Sequence, residues 1–493
     1  MSYVCVAGLG VSGAAAARVL AERGERVVVV EAVEGEAQRV AADSLRRLGV
    51  EVRFGPVELP EGVQRLVTTG WAPHHPLMVA AAEAGVEVIG EVEVAWRLRE
   101  EQGAAPWLAL TGTNGKTTVV RMLTAMLLAA GHKAVAVGNV GVPVVEAVGG
   151  PYDVLAVELS SFQLHWSPSV APHAGAILNL APDHLDWHGS MAEYAAAKAR
   201  IFEGARHVVF NADDPEVARL AEPYGERAVG FTLGVPRPGE LGLVEDLLVD
   251  RAFVDDPVGQ AEELATLADV KPFAPHNVAN ALAAAALART LGVPAAAVRQ
   301  GLLDFKPDPH RMAFVERVAE VDYVDDSKAT NPHAAAAALA AYESIVWVAG
   351  GLLKGADVED LVRRAAPRLR GAVLLGTDRA VIAEALARHA PDVPVVDIDG
   401  RDTGVMDRVV VEAARLASPG DTVLLAPAAA SLDMFANYPA RGQAFARAVH
   451  ALAVPATESP AGHDPTGDPT GDPASDSAGD PAGDSADGTA GAR

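Results

Sequence analysis

The chain has 493 residues, half of them hydrophobic, one cysteine and a formal net charge of −25. That length buries more apolar surface than one core holds, so two to four domains are expected, and the acidic balance excludes nucleic acid as a main partner, because a phosphate backbone needs a basic surface. No apolar run approaches the roughly 18 residues that span a bilayer, and MSYVCVAGLG enters a strand pattern without a basic flank, so a cytoplasmic protein with no membrane partner is expected.

Strand-like apolar runs alternate with Ala-rich helical stretches, the pattern of an α/β protein with parallel sheets, and they fall into three blocks. The first, residues 1–100, opens with VCVAGLG, an Ala-rich segment and RVVVVE. Cys5 in the opening strand reads as a buried structural thiol, and redox chemistry is not indicated. Gly8, Gly10 and Gly13 match G-x-G-x-x-G between a strand and a helix, and Glu31 closes the next strand, which makes this block Rossmann-like. On its own the fingerprint suggests NAD and a dehydrogenase. Its physical content, however, is a tight turn beside a pyrophosphate with an acid near a sugar, and UDP conjugates satisfy that as well.

The second block, residues 101–308, begins with PWLAL and TGTNGKTT, Thr111 to Thr118, a strand passing through glycines into a helix. Backbone amides and the helix N-terminus there suit phosphate oxygens. Lys116 belongs on the outer phosphates, and the Thr117 hydroxyl suits Mg2+. Gly112 and Gly115 stand three apart, closer than in the general P-loop pattern, so the loop is a variant. Glu158 ends the strand of VLAVELSSFQL, either as an acid reaching Mg2+ or as an ordinary strand-end carboxylate. Asp183, His184, Asp186 and His188 crowd NLAPDHLDWHGS as a metal loop or a solvated charged turn. Lys198 lies on a helix, where a lone lysine is usually solvated.

The third block, residues 309–454, follows the two prolines of KPDPHR and contains four strand candidates, VDYVDD, SIVWVAGG, AVLLG and TVLLAP. In VDDSKATNP a strand ends at Asp325 and Asp326, a loop carries Lys328 and Thr330, and a helix begins with Asn331 as cap and Pro332 at its first position. Loops around Lys354 and Ser431 follow strands in the same way, and three such loops suit an anionic small substrate. From 455 to 493 the chain is Pro, Gly, Ala, Ser and Thr with recurrent Asp, which reads as a disordered acidic tail.

Taken in order, TGTNGKTT, ELSSFQL, DHLDWH, the lysine of AAAKARIF, HNVAN, PHR, DDSKATN, GGLLKG and SLDMFANYPARG resemble the bacterial Mur ligases. The resemblance spans residue 1 to about 452, and ELSSFQL with GLGVSG favours the glutamate-adding branch. It implies an N-terminal Rossmann-like domain, a central P-loop ATPase domain with a parallel sheet, and a C-terminal Rossmann-like domain. It also implies a monomer that uses ATP to phosphorylate the terminal carboxylate of UDP-N-acetylmuramoyl-L-alanine and lets the amine of D-glutamate attack the acyl phosphate, in peptidoglycan precursor synthesis.

Residue by residue, the resemblance puts ATP on Gly112, Thr113, Asn114, Gly115, Lys116, Thr117, Thr118, Asn280, Arg311 and Asp326. Thr117 and Glu158 serve one Mg2+, while His184 and a carbamylated Lys198 serve a second. Lys116, His184 and Lys198 are the catalytic set. Gly10, Val11, Ser12 and Glu31 take the uridine diphosphate, Asn139 and Gln163 the sugar and alanyl region, and Lys328, Thr330, Lys354, Ser431 and Tyr438 the D-glutamate. Three positions depart from the family pattern: Glu31 where Asp is common, Tyr438 where Phe is common, and Thr68–Gly70 where Ser-Pro-Gly is common.

Overall fold

The computed structural model describes residues 3–99, 105–400 and 404–453, so the acidic tail expected at 455–493 lies outside the described residues. Three sheets organise the chain. The first holds β1 (Tyr3–Ala7), β2 (Arg26–Glu31), β3 (Glu51–Phe54), β4 (Arg65–Thr68) and β5 (Glu87–Gly90) in the order β3-β2-β1-β4-β5, all parallel. Its central strands are apolar on both faces, as a parallel sheet covered by helices on either side requires. Cys5 is buried there, and burial pushes its thiol up to about 12, so it stays protonated and inert.

The second sheet has nine strands: β6 (Trp107–Thr111), β7 (Ala134–Gly138), β8 (Val154–Glu158), β9 (Ala174–Ile177), β10 (His207–Asn211), β11 (Ala228–Phe231), β12 (Glu240–Val244), β13 (Leu247–Asp250) and β14 (Glu262–Thr266). Their order is β14-β13-β12-β11-β10-β9-β6-β8-β7. Because β6 sits between β8 and β9, the loops leaving the carboxyl ends of all three meet at one edge. The helix Pro275–Arg289 packs beneath this sheet with Ala281–Ala288 completely buried. A helix apolar all round is a buried helix, and alanine lets it approach closely.

The third sheet contains β15 (Ala313–Val318), β16 (Val321–Asp325), β17 (Ile345–Gly350), β18 (Leu369–Leu375), β19 (Val395–Asp397) and β20 (Thr422–Leu425) in the order β15-β16-β20-β17-β18-β19. Two of these go beyond the four strands that the sequence suggests. β15 is an antiparallel edge strand with mostly half-exposed residues, and β19 is a three-residue edge, so neither carries an apolar run. The antiparallel extension β12–β14 of the central sheet also escapes a parallel reading, because it is a pair of hairpins among Gly- and Pro-rich turns.

The helix that follows the phosphate-type loop, Lys116–Ala129, is fixed from outside by the helix Ala295–Asp304. They approach so closely that a Cβ on Gly301 would lie 2.5 Å from both Cα and N of Met126. Gly301→Ala should therefore lower stability by about 1–3 kcal/mol through overpacking, outweighing the ~1 kcal/mol that alanine gains in a helix. Urea denaturation checks this; a stabilised variant would mean the helices are not in backbone contact.

Candidate active site

Gly115 caps the helix Lys116–Ala129 with φ +84°, and a Cβ there would fall 2.5 Å from Asn280 Oδ1. Both the turn and the close approach exclude a side chain. The loop is held by a residue that the sequence reading did not single out. Asn179, after β9, accepts from the Asn114 N–H at 2.8 Å and donates from Nδ2 to the Asn114 carbonyl at 3.0 Å. Thr113 is fixed by the Ala181 N–H donating to its hydroxyl at 3.0 Å and by Tyr194 Oη at 3.0 Å.

Lys116 Nζ donates to the carbonyls of Gly112 and Thr113, both at 2.9 Å. Lys198, far from solvated, is buried and donates to the same Gly112 carbonyl at 2.8 Å and to Thr111 Oγ1 at 3.2 Å. Burial lowers both amines, Lys198 well below its ordinary value, and Lys116 lowers Lys198 further by like charge. Glu158, at the end of β8, accepts from Asn139 Nδ2 at 2.8 Å through Oε1, while its buried Oε2 has no partner. An orphaned carboxylate oxygen on a cavity that Thr117 also lines fits a hard divalent cation. Among the described residues no three His, Cys, Asp or Glu side chains converge as a ready metal site.

His184 stands in the left-handed region at φ 54°, and desolvation lowers its pKa against the pull of Asp183. His188 is different: it is buried, its Nε2 is 2.9 Å from Ser161 Oγ, and burial takes it down to about 4. The crowded loop thus divides into one accessible imidazole and one packing imidazole, and Asp186 faces solvent.

A cavity of about 690 Å³ joins these groups to the third block. Thr113–Thr118, Asn139, Glu158, Asn280, Arg311, Asp326, Lys328 and Thr330 line it. Lys354, Ser431, Tyr438, His184 and Lys198 are not among its lining residues. Lys328 lies with Nζ 4.1 Å from the Tyr438 ring centroid, and burial lowers it to about 8. Lys354 is exposed, with φ 54°, and Ser431 is buried. Asn331 caps the helix Pro332–Leu339 by accepting from the Ala334 N–H at 2.8 Å, and His333 Nδ1 is 2.8 Å from Asn114 Nδ2. Arg441, also absent from the sequence reading, is buried and donates to Ser327 Oγ and to the carbonyls of Ser327, Gly350 and Ala429. It ties together the three strand-end loops that carry Lys328, Lys354 and Ser431.

The diphosphate-side candidates lie elsewhere. Ser12 and Gln163 line a second, small depression with Thr68–Gly70, Gly90, Glu91, Phe162 and Trp166. Gly10 and Val11 start the first helix, with Val11 largely exposed. Glu31 already accepts from the N–H groups of Leu9 at 2.6 Å and Val33 at 2.9 Å, so its carboxylate shapes the glycine loop. Gln163 Oε1 is used in a capping box with Ser160.

Residues 110–288 match the family model of the Mur ligase middle domain, and 310–429 that of the Mur ligase glutamate ligase domain. The UDP-N-acetylmuramoylalanine–D-glutamate ligase of Thermobifida fusca is 64% identical over 459 residues, covering 91% of this chain and 98% of that protein. The chain belongs to the Mur ligase family. The enzyme of the same name from Streptomyces avermitilis is 62% identical with the same coverage. The UDP-N-acetylmuramate-alanine ligase structure from Thermotoga maritima shares the Mur ligase fold at a TM-score of 0.56 and 19% identity, covering 92% of this chain and 100% of that one.

In this Mur ligase, burial raises the Asp326 carboxyl from 3.8 to about 7, with the Met312 N–H at 3.2 Å and Arg311 opposing the rise. The folded value lies above the unfolded one, so the contribution of this group to stability is full below about pH 4 and is lost as pH rises to about 7. Asp326→Asn should gain on the wild type by at most a few kcal/mol between about pH 5 and about pH 8. Urea midpoints at the two pH values check this; an unchanged difference would mean that Asp326 ionises as an exposed aspartate does.

Proposed function

We propose that this chain is an ATP-dependent amide ligase that joins D-glutamate to UDP-N-acetylmuramoyl-L-alanine through an acyl phosphate, in cytoplasmic peptidoglycan precursor synthesis. The observation that carries this reading is the pair of lysines on the Gly112 carbonyl, Lys198 buried and Lys116 half-buried, together with the unpartnered oxygen of Glu158. Lysines without an ion-pair partner and a buried carboxylate oxygen without a donor suit a phosphate and a divalent metal between them. The names of relatives 62–64% identical to this chain support the choice of substrates.

In this reading residues 1–100 bind the UDP-linked substrate through Gly10, Val11, Ser12 and Glu31, with Asn139 and Gln163 toward the sugar. Residues 101–308 bind ATP through Gly112–Thr118 and Asn280, joined by Arg311 and Asp326 from 309–454. That last domain takes D-glutamate through Lys328, Thr330, Lys354, Ser431 and Tyr438. The monomer is the working unit, and the tail at 455–493 takes no part in the chemistry.

Thr117 and Glu158 would hold one Mg2+, and His184 with a carbamylated Lys198 a second; bound there, the cations neutralise charge on the phosphoryl group. Carbamylation needs a neutral amine. Lys198, its pKa lowered by burial, can add CO2 at nitrogen and release a proton, which turns a buried cation into an oxygen ligand. A carboxylate is a poor electrophile, so its oxygen first takes the γ-phosphoryl group, with Lys116 stabilising the charge in transit. The neutral amine of glutamate then attacks the acyl carbon, and the tetrahedral intermediate expels phosphate. Domain closure brings the amine into reach.

Phosphate release should require ATP, Mg2+, the UDP substrate and D-glutamate together, with L-glutamate inactive; release independent of amino acid would overturn the ligase reading. Lys198→Ala should lose activity by about 100-fold or more and regain part of it in short-chain carboxylates. Full activity in that variant would remove Lys198 from the metal site.

A further inference from the structure

Two indole donors of the central block reach backbone carbonyls of the first block. Trp166 Nε1 donates to the Trp71 carbonyl at 3.0 Å, and Trp187 Nε1 to the Gly70 carbonyl at 3.0 Å. Both acceptors lie in one short loop, in which the Trp71 N–H donates to Thr68 Oγ1 at 3.1 Å and Gly70 takes φ +104°. A side chain at Gly70 would also meet Phe162, at 3.4 Å from its Cβ. The Gly90 N–H donates to the Trp166 carbonyl at 2.7 Å, so the end of β5 is held by the same residue. These contacts form the wall of the small depression that Ser12 and Gln163 line.

On the central side, the tryptophans sit on the two segments that carry the metal candidates. Trp166 ends the short helix Ser161–His165, which follows Glu158, and Trp187 lies in the short helix Leu185–His188, which follows His184. The rings between them form one body: Phe162 is 4.8 Å from His184 and 4.7 Å from Trp187, and His165 is 4.7 Å from Trp166 and 5.1 Å from Trp187. Burial lowers His165 and takes His188 down to about 4. An indole is a donor with no acceptor, on a large rigid ring. Here both donors are spent on carbonyls, so they act on a ligand only through the loop they hold.

We propose that Trp166 and Trp187 are positioning residues that fix the Thr68–Trp71 loop, and with it the nucleotide-linked substrate, relative to Glu158 and His184. The proposal rests on the reading of that depression as the substrate side, given above. Within the Thr-Thr-Gly sequence the Gly70 carbonyl is held by Trp187, and the Thr68 hydroxyl accepts from the N–H of Trp71, whose own carbonyl is held by Trp166.

The test compares Trp166→Phe, Trp187→Phe and the double variant with the wild type in steady-state phosphate release. Phenylalanine keeps an apolar ring and removes the N–H. Each single variant should raise KM for UDP-N-acetylmuramoyl-L-alanine about tenfold while KM for ATP changes by less than about twofold, and the second substitution should add less than the first because both hold one loop. Equal rises in every KM, or none in any, would overturn the proposal. Should the variants fold poorly, wild-type protein labelled with 5-fluorotryptophan gives an independent reading. On addition of the UDP substrate without ATP, the fluorine resonances of Trp166 and Trp187 should move while that of buried Trp347 stays; no movement overturns the proposal. A wild type that turns over no UDP substrate would defeat the proposed function, whereas an active wild type with unaffected variants defeats this inference alone.

Discussion

Lys198 is buried and Lys116 half-buried, both donate to the carbonyl oxygen of Gly112, and among the described residues neither forms a salt bridge with a carboxylate. Burial without a counter-ion is costly for an ammonium, and it lowers both amines, Lys198 well below its ordinary value. The arrangement makes physical sense only with an anion to come. On the proposed reading a nucleotide phosphate would favour the charged form of Lys116, and carbamylation of Lys198 would remove the like-charge conflict. The remaining features of the site follow from where that carbonyl is held.

It is held by sheet topology. Placing β6 between β8 and β9 brings the glycine loop, Glu158 and Asn179 to one edge without any long-range side-chain design. The Ala-rich helix Pro275–Arg289 then presents Asn280 to Gly115, and the close packing of Gly301 on Met126 fixes the helix that carries Lys116. The third block completes the cavity from the far side with Arg311, Asp326, Lys328 and Thr330, positioned by loops that Arg441 ties together. Chemistry divided among blocks in this way demands that their faces meet in register. The indole contacts of Trp166 and Trp187 tie the first block to the central one.

Much of this was legible in the sequence, for a local reason. The glycine loop, the acid ending β8 and the Asn331 cap with Pro332 behind it are contiguous patterns whose geometry is set within a few residues. The fate of Lys198 was not legible from its spacing, because a helix lysine reads as solvated until Thr111 and Gly112 are seen above it; only the family resemblance pointed to it. Asn179 and Arg441 were missed because their partners are backbone atoms of Asn114, Ser327, Gly350 and Ala429, distant in the chain. Glu31 shows the converse limit: a fingerprint acid at the expected position has both oxygens engaged by backbone N–H groups, of Leu9 in the glycine loop and of Val33 just after the acid.

The most direct test of the acyl-phosphate account follows an oxygen atom. UDP-N-acetylmuramoyl-L-alanine labelled with 18O in its terminal carboxylate, turned over with ATP and D-glutamate, should give inorganic phosphate carrying one labelled oxygen per turnover, because the oxygen that takes the phosphoryl group leaves with it. Product formed with unlabelled phosphate would contradict activation of the carboxylate by phosphorylation.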